Sequence, residues 1–386
     1  SAAGSMLGSR PGASSEVFPD EDHPISASNE DIDYDGELNV SAWYAMVDTP
    51  LSETVSMVAG VRFESTEIST IVDPEAGARW LDPNGIGIQE TLEPGEADVF
   101  FEQDDVLPAL GLTYQPIGPL TFRASWAETV ARQTFKELTP VLVYEYSGGP
   151  VFSGNPDLQM SNLTNYDLRA DYTPREGSFF SLSWFHKDIE NPIEYVQKAN
   201  PFVYTTAANY PDGEMSGYEI EVRQDLDRFA EGLEGLSIGA NATIIDSEVT
   251  LPADEAQILE DQLAPEPTRD ATNAPEYLYN LYVTYEHERT AISLFYTVQG
   301  DTLLAGAGAK TGSIGYVPDV YQEDYGTLNL VISRQIGKHF RLKFEAKNLT
   351  DPDIETVYRS EFIGGDVTKS SYSAGREFSI SLSANL

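Results

Sequence analysis

From Asn162 to Lys187 apolar and polar side chains alternate one by one, on both sides of a single tight turn. Tyr166, Leu168, Ala170 and Tyr172 fall on one face, with Asn165, Asp167, Arg169 and Asp171 on the other. Pro174-Arg175-Glu176-Gly177 supplies the turn residues. Phe180, Leu182 and Trp184 then share a face, opposed by Ser181, Ser183 and Lys187. A period of two fits an extended strand and no helix, and it gives each strand one oily and one wet side.

The pattern continues along the chain. Leu38, Val40, Ala42, Tyr44 and Met46 alternate with polar or small neighbours, and Val55, Met57, Ala59, Val61 and Phe63 follow. Val106, Leu110, Leu112 and Tyr114 lead to Leu120, Phe122, Ala124 and Trp126. Later come Tyr218-Ile220-Val222, Leu236 to Ile244, Tyr277 to Tyr285, Ile292 to Val298, Leu328 to Ile332, Phe340 to Ala346 and Phe378 to Leu386. About thirteen strands are expected. Short connections near residues 48, 116, 175, 230, 288 and 337 alternate with long ones near 83, 145, 200, 260, 311 and 361. The first long one is expected to run from about Ile68 to Asp98.

Soluble sandwiches mix loop lengths at both ends. Outer-membrane barrels place short turns in the periplasm and long loops outside. Aromatic residues near strand ends (Trp43, Tyr44, Tyr114, Trp126, Tyr172, Trp184, Tyr285 and Tyr296) suit two interfacial girdles. The expected fold is therefore all-β: an antiparallel, up-and-down transmembrane β-barrel wall. An odd strand number leaves an open edge, and each unpaired backbone group in hydrocarbon costs on the order of several kcal/mol. Residues 36–386 are thus expected to form the C-terminal portion of a longer barrel, with 1–35 a loop or linker. Two alternatives are a complete, smaller porin-like channel and a secreted β-sandwich that binds or hydrolyses glycans. The sandwich predicts that the oily faces bury one another.

Asp+Glu 63 against Lys+Arg 23 gives a net charge of −40. Such acidity opposes nucleic-acid binding, which needs basic partners for phosphate. With no cysteine, disulfides, thiol catalysis and cysteine metal sites are excluded. There is no run of about 18 apolar residues to form a transmembrane helix. The start at Ser1 lacks a basic segment and an apolar core, so a processed or truncated product is expected. Asp31, Asp33, Asp35 and Gly36 match the opening of a calcium loop, but Ala42 stands where the bidentate Glu belongs. An acidic surface loop is the alternative there.

Enzyme signatures are weak, and no cofactor is expected. His23, His186, His287 and His339 lie in a loop, a strand end and two turns, without metal-ligand spacing along the chain. No G-x-S-x-G elbow occurs. Gly308-Ala309-Lys310-Thr311 touches a phosphate-loop pattern, but Leu304 and Ala309 replace its required glycines.

The wet faces carry both charge signs, including Arg123, Arg169, Glu219, Arg223, Arg341, Lys343 and Glu345. Facing a lumen, they could hydrogen-bond water or a plug domain; otherwise they are a solvated strand face. For ligand contact the candidates are Trp80, Arg132, Tyr144, Tyr146, Phe152, Tyr204, Tyr210 and Tyr316, long-loop residues with flat faces or polar edges. Their alternative role is packing between loops.

Several blocks resemble TonB-dependent receptors. Phe122-Arg123-Ala124-Ser125-Trp126 with Thr129-Val130-Ala131-Arg132, Phe135, Glu137-Leu138 and Pro140 is similar to a strand-and-loop block of that family. Gly154-Asn155-Pro156-Asp157-Leu158 with Asn165-Tyr166-Asp167-Leu168 resembles its "GNPxL…NYDL" segment, and Phe185-His186-Lys187-Asp188-Ile189 its "FYKDI". Asn348-Leu349-Thr350-Asp351 with Tyr372, Gly375-Arg376 and Phe378 resembles its closing "NLTD…GR" block. The resemblance covers about residues 100 to 386. It departs at Leu386, where the family usually ends on an aromatic, and in the lack of a plug and a TonB box. It implies a barrel of about 22 strands around a plug. It also implies uptake of a scarce carbohydrate, siderophore or vitamin across the outer membrane, with energy from a TonB-type partner acting through an upstream plug. These blocks look most like the branch associated with carbohydrate uptake. Outer-membrane lipid and lipopolysaccharide would surround such a wall.

Overall fold

A computed structural model describes residues 32–75, 79–81, 89–144, 150–199, 202–227, 229–230, 232–309 and 315–384. Thirteen strands pair consecutively in one antiparallel meander. They are β1 (Ile32–Pro50), β2 (Val55–Pro74), β3 (Val99–Ile117), β4 (Leu120–Ala131), β5 (Ser161–Arg175) and β6 (Ser178–Glu190). Then follow β7 (Asp212–Asp225), β8 (Leu236–Thr250), β9 (Tyr277–His287), β10 (Thr290–Gln299), β11 (Tyr325–Ile336), β12 (Phe340–Lys347) and β13 (Glu377–Ala384). A fourteenth member of the sheet, Thr268–Arg269, pairs with β8 alone. The strict alternation of short and long connections is present. At the β5–β6 turn, Gly177 has φ +72°, a conformation that glycine adopts without strain. Among the described residues β1 pairs only with β2 and β13 only with β12, so the wall is not closed.

The sheet is inside out relative to a soluble protein. Leu168 and Leu182 are each 53% exposed and Leu281 is 52% exposed, whereas Ser181 is 6% and Asp171 9% exposed. Register sets Ala124, Leu168, Trp184, Tyr218 and Ile244 side by side across β4 to β8 on the outer face. On the enclosed face the matching row is Thr121, Asp171, Ser181, Glu221, Asn241, Asn280 and Thr297. Asn280 donates to Asn241 at 2.9 Å and accepts from Thr297 at 2.7 Å. A second sheet against the oily faces, which a sandwich requires, is absent among the described residues. Aromatic rings pair along the outer face. Trp184 stacks on His186 towards the long loops, and Tyr172 lies 6.3 Å from Phe180 by the short turn.

Three expectations need correction. The first long loop does not begin at Ile68: β2 runs on to Pro74, where Ile68 and Val72, both 3% exposed, sit on the face of Glu64 and pack beneath the loops against Leu138 and Trp80. β1, β2 and β3 reach 19, 20 and 19 residues. At about 3.3 Å per residue such strands exceed a hydrocarbon core of about 30 Å. β1 begins at Ile32, inside the segment expected to be a loop or linker. Asp33 and Asp35 lie in β1, extended and opposite Asp73 and Ile71, so they do not wrap a calcium ion; Asp31 is outside the described residues. Finally, Leu38, Val40, Ala42, Tyr44 and Met46 share the enclosed face with Glu64 and Arg62, not the oily outer face. There Trp43 stacks on Phe63 at 4.1 Å. β1 is apolar on both sides, so alternation alone does not tell its faces apart.

All the accessory structure lies in the long connections. Val151–Ser153 pairs with Leu142–Tyr144 and, in parallel, with Val203–Asn209, which pairs with Ile193–Ala199. A second sheet orders Thr302–Ala305, Asp319–Gln322, Asp353–Arg359 and Val367–Ser373. Among the described residues this loop layer also holds two helices, α1 (Phe135–Leu138) and α2 (Ala253–Asp261). In α1, Thr134 and Glu137 form a reciprocal capping box that satisfies the first turn's orphan N–H groups.

Candidate functional site

Two surfaces carry chemistry: the enclosed face of the wall and the loop layer above it. On the wall, Arg123 of β4 stands directly opposite Arg169 of β5. Like charges so placed repel. Asp171 resolves the clash, pairing with Arg123 and with Arg169 Nε at 2.8 Å. Arg169 also lies 3.9 Å from Glu221, which pairs with Arg223 at 3.2 Å, and Arg223 covers the Phe179 ring at 4.7 Å. Glu219 lies opposite Ser183 on this face. Arg341, Lys343 and Glu345 share the face on β12, where Lys343 contacts Glu345 at 2.7 Å. A charged ladder with paired signs results, suited to polar contents rather than to lipid.

The loop layer is held by a buried ionic knot. Arg269 emerges from the two-residue strand beside β8, and its side chain is 2% exposed. Its Nη2 lies 3.3 Å from Glu255 of α2 and 3.2 Å from Glu266. Tyr210 donates to Glu255 at 2.7 Å. Asp319 accepts from the Ala307 N–H at 2.6 Å, and Glu194 from the Thr272 N–H at 2.6 Å. A Cβ on Gly306 would overlap the guanidinium, so any larger residue there has to push Arg269 aside. Around the knot pack Val196, Val249, Leu251, Leu259 and Ala307. Gln197 Nε2 ties the two accessory sheets by donating to Gly306 O at 3.1 Å and Pro318 O at 2.7 Å.

Burial in this knot shifts its acids. Desolvation pushes Glu194 up to about 7, against the opposing hydrogen bond from Thr272. Desolvation also raises Glu266 and Asp319, which contact each other. An acid whose folded pKa is raised binds more protons folded than unfolded. The Glu194 contribution is therefore fully present below pH 4.5, is lost as pH rises through about 7, and is flat above that. Glu194→Gln is expected to flatten this dependence, read as hydrogen-exchange protection of Ile193–Ala199 across pH 5 to 8 (about neutral at its upper half). An unchanged pH profile in the variant would contradict the assignment.

The family-like blocks prove to be fastenings. In 154–158, Gly154 N–H donates to Thr139 O at 3.1 Å, Asn155 N–H to Glu137 O at 2.6 Å, and Asn155 Nδ2 to Ala207 O at 3.1 Å. In 348–351, Asn348 (φ +54°) donates to Gly375 O at 2.9 Å, and Asp351 accepts the Gly375 N–H at 3.0 Å. Arg376 Nε donates to Leu349 O at 3.0 Å. Both blocks pin a long connection at its roots.

The aromatic candidates are not brought to one pocket. Trp80 packs with Val72, Leu92 and Val141, and Phe152 with Leu138 and Leu158. Tyr210 is 1% exposed in the knot. These three hold loops together. Arg132 pairs with Glu64 and donates to Thr66 at 3.2 Å, so it fixes a connection to β2. Tyr204 is half-buried beside Phe202 at 5.8 Å, and Tyr316 bonds Ser360 at 2.9 Å. Tyr144 lies in a short accessory strand, and Tyr146 is outside the described residues. Sequence reading missed Arg269, Glu255, Glu266 and Asp319. The one visible signal was Arg269 as the lone base among the acids of 251–276.

A family model described as TonB dependent receptor-like, beta-barrel, matches residues 9–349. A search of curated protein sequences found no match. Among solved structures, the siderophore receptor PiuA from Acinetobacter baumannii superposes with TM-score 0.58 at 13% identity, over 91% of this chain and 43% of that one. The ferric-catecholate import receptor Fiu from Escherichia coli K12 gives 0.54 at 16%, over 83% and 42%. The ferric enterobactin receptor PfeA from Pseudomonas aeruginosa, a mutant in complex with enterobactin, gives 0.52 at 17%, over 90% and 54%. The chain thus spans about half the length of these receptors or less. With the family match covering most of its length, the chain belongs to the TonB-dependent receptor family, within the β-barrel.

Proposed function

We propose that this chain is the C-terminal wall of an outer-membrane transporter that captures a scarce small molecule and imports it with energy from a TonB-type partner. One observation carries the reading: an inverted-polarity wall bears all its accessory structure on one end. A layer built that way can receive a ligand from outside and pass it to a charged, enclosed face. Among the described residues the outer edges of the sheet at β1 and β13 have no neighbouring strand, which supports further strands and a plug completing the barrel, since open edges are not tolerated in hydrocarbon. The oily outer face supports contact with outer-membrane lipid and lipopolysaccharide.

For the ligand, the names of the neighbours support a siderophore-type metal chelate. The loop layer narrows the class. Arg269, Arg359 and Arg132 are spent on acids, and 251–276 sets Arg269 alone against Asp254, Glu255, Glu260, Asp261, Glu266, Asp270 and Glu276. This favours a neutral or cationic chelate over a polyanionic one. The test is growth of a deletion strain under iron limitation on a panel of chelates of differing charge, with oligosaccharides as sole carbon source in parallel. Loss of growth on neutral or cationic chelates is expected. A defect confined to an oligosaccharide would replace the ligand class, and a defect on neither would remove the uptake reading.

A further inference from the structure

The outer face carries a donor group whose spacing runs across strands, which is why reading along the chain passes over it. His186 and Asp188 lie two residues apart on β6, and Glu214 on β7 stands directly opposite Asp188. His186 Nε2 is 3.1 Å from Asp188 Oδ1, and one donor atom from each of the three residues lies within 4.8 Å of the others. The imidazole is held from the side, stacked on Trp184 at 6.1 Å and 3° and tilted against Tyr166 at 6.2 Å. Two carboxylates facing each other across antiparallel strands repel. Nearby, Lys187 points to the other face, where it bonds Asn165 at 2.8 Å. The pair therefore lacks a balancing side-chain cation in its own row.

We propose that His186, Asp188 and Glu214 hold one divalent cation of the zinc or manganese type on the outside of the wall. One imidazole nitrogen with two carboxylate oxygens suits such ions better than magnesium or calcium, which prefer oxygen-only sets. Three protein donors leave a position open to water, the pattern of an accessible rather than a sealed site. The half-buried ring and exposed carboxylates place it within reach of the external medium, with His186 level with Tyr166 and the two carboxylates one row further out. There a bound cation neutralises acid at the membrane boundary of a protein with net charge −40.

The proposal rests on strand register, not on the transport reading, so either can fail alone. Detergent-purified protein is titrated with Zn²⁺ and Mn²⁺ by calorimetry, and retained metal is counted after dialysis. Cobalt substitution reports a nitrogen-and-oxygen ligand set by its visible bands. His186→Asn and Glu214→Gln are each expected to weaken binding about 10-fold or more, while His287→Asn leaves it unchanged. Gel mobility before and after heating confirms that each variant is folded. Failure of the wild type to hold one equivalent, or retention of that equivalent in both site variants, would overturn the proposal.

Discussion

Arg269→Met is expected to loosen the loop layer by about 3–5 kcal/mol while the wall stays folded. The substitution keeps most of the side-chain volume and removes the charge together with the N–H donors to Glu255 and Glu266. It leaves Glu255, Glu266 and Asp319 buried together without their cation. Acids so placed take up protons instead, so the loss should be largest at alkaline pH and smallest in acid. Hydrogen exchange reads the outcome. Protection should fall across Ile193–Ala199, Ala253–Asp261 and Asp319–Gln322, and persist in β5 and β6, which share none of the knot. Gly306→Ala, which displaces the guanidinium by volume, should give the same map. Uniform loss over wall and loops, or no loss, would show that Arg269 does not act as the clasp.

This clasp marks where sequence reading stops. The wall was legible because a period of two leaves few choices. Once Leu168 and Leu182 face one way, the turn at Gly177 fixes their register, and a one-residue slip would turn every side chain over. β1 was misread because Trp43, Ala45 and Val47 on one side match Tyr44, Ala42 and Val40 on the other, so its faces are set by pairing with β2. The loop layer was illegible for another reason. Thr205 meets Phe152 and Val196 meets Gly306 across long stretches of chain, and no local pattern announces such pairings. An aromatic in a long loop also looks the same whether presented to a ligand or, like Trp80 and Phe152, tucked beneath a neighbouring connection.

Leu182→Arg is expected to destabilise the folded wall by about 2–4 kcal/mol in a bilayer, the cost of a cation at mid-depth on a lipid-facing strand. Leu182 lies on the oily face between Phe180 and Trp184, is 53% exposed, and is flanked by Ala170 and Ile220. Thr243→Arg is the companion experiment. Thr243 sits on the enclosed face opposite Glu219, where an added cation meets an acid and water, so little loss is expected. Urea unfolding in vesicles of differing thickness, followed by tryptophan fluorescence, measures both. The sign of the difference between the two variants separates the architectures. In a soluble wall both faces meet water and the two changes cost similar amounts. In a sandwich Leu182 is core and the Leu182→Arg penalty persists in detergent-free buffer. Only a wall with lipid outside and polar contents inside makes the penalty large at Leu182, small at Thr243, and lower as the bilayer thins.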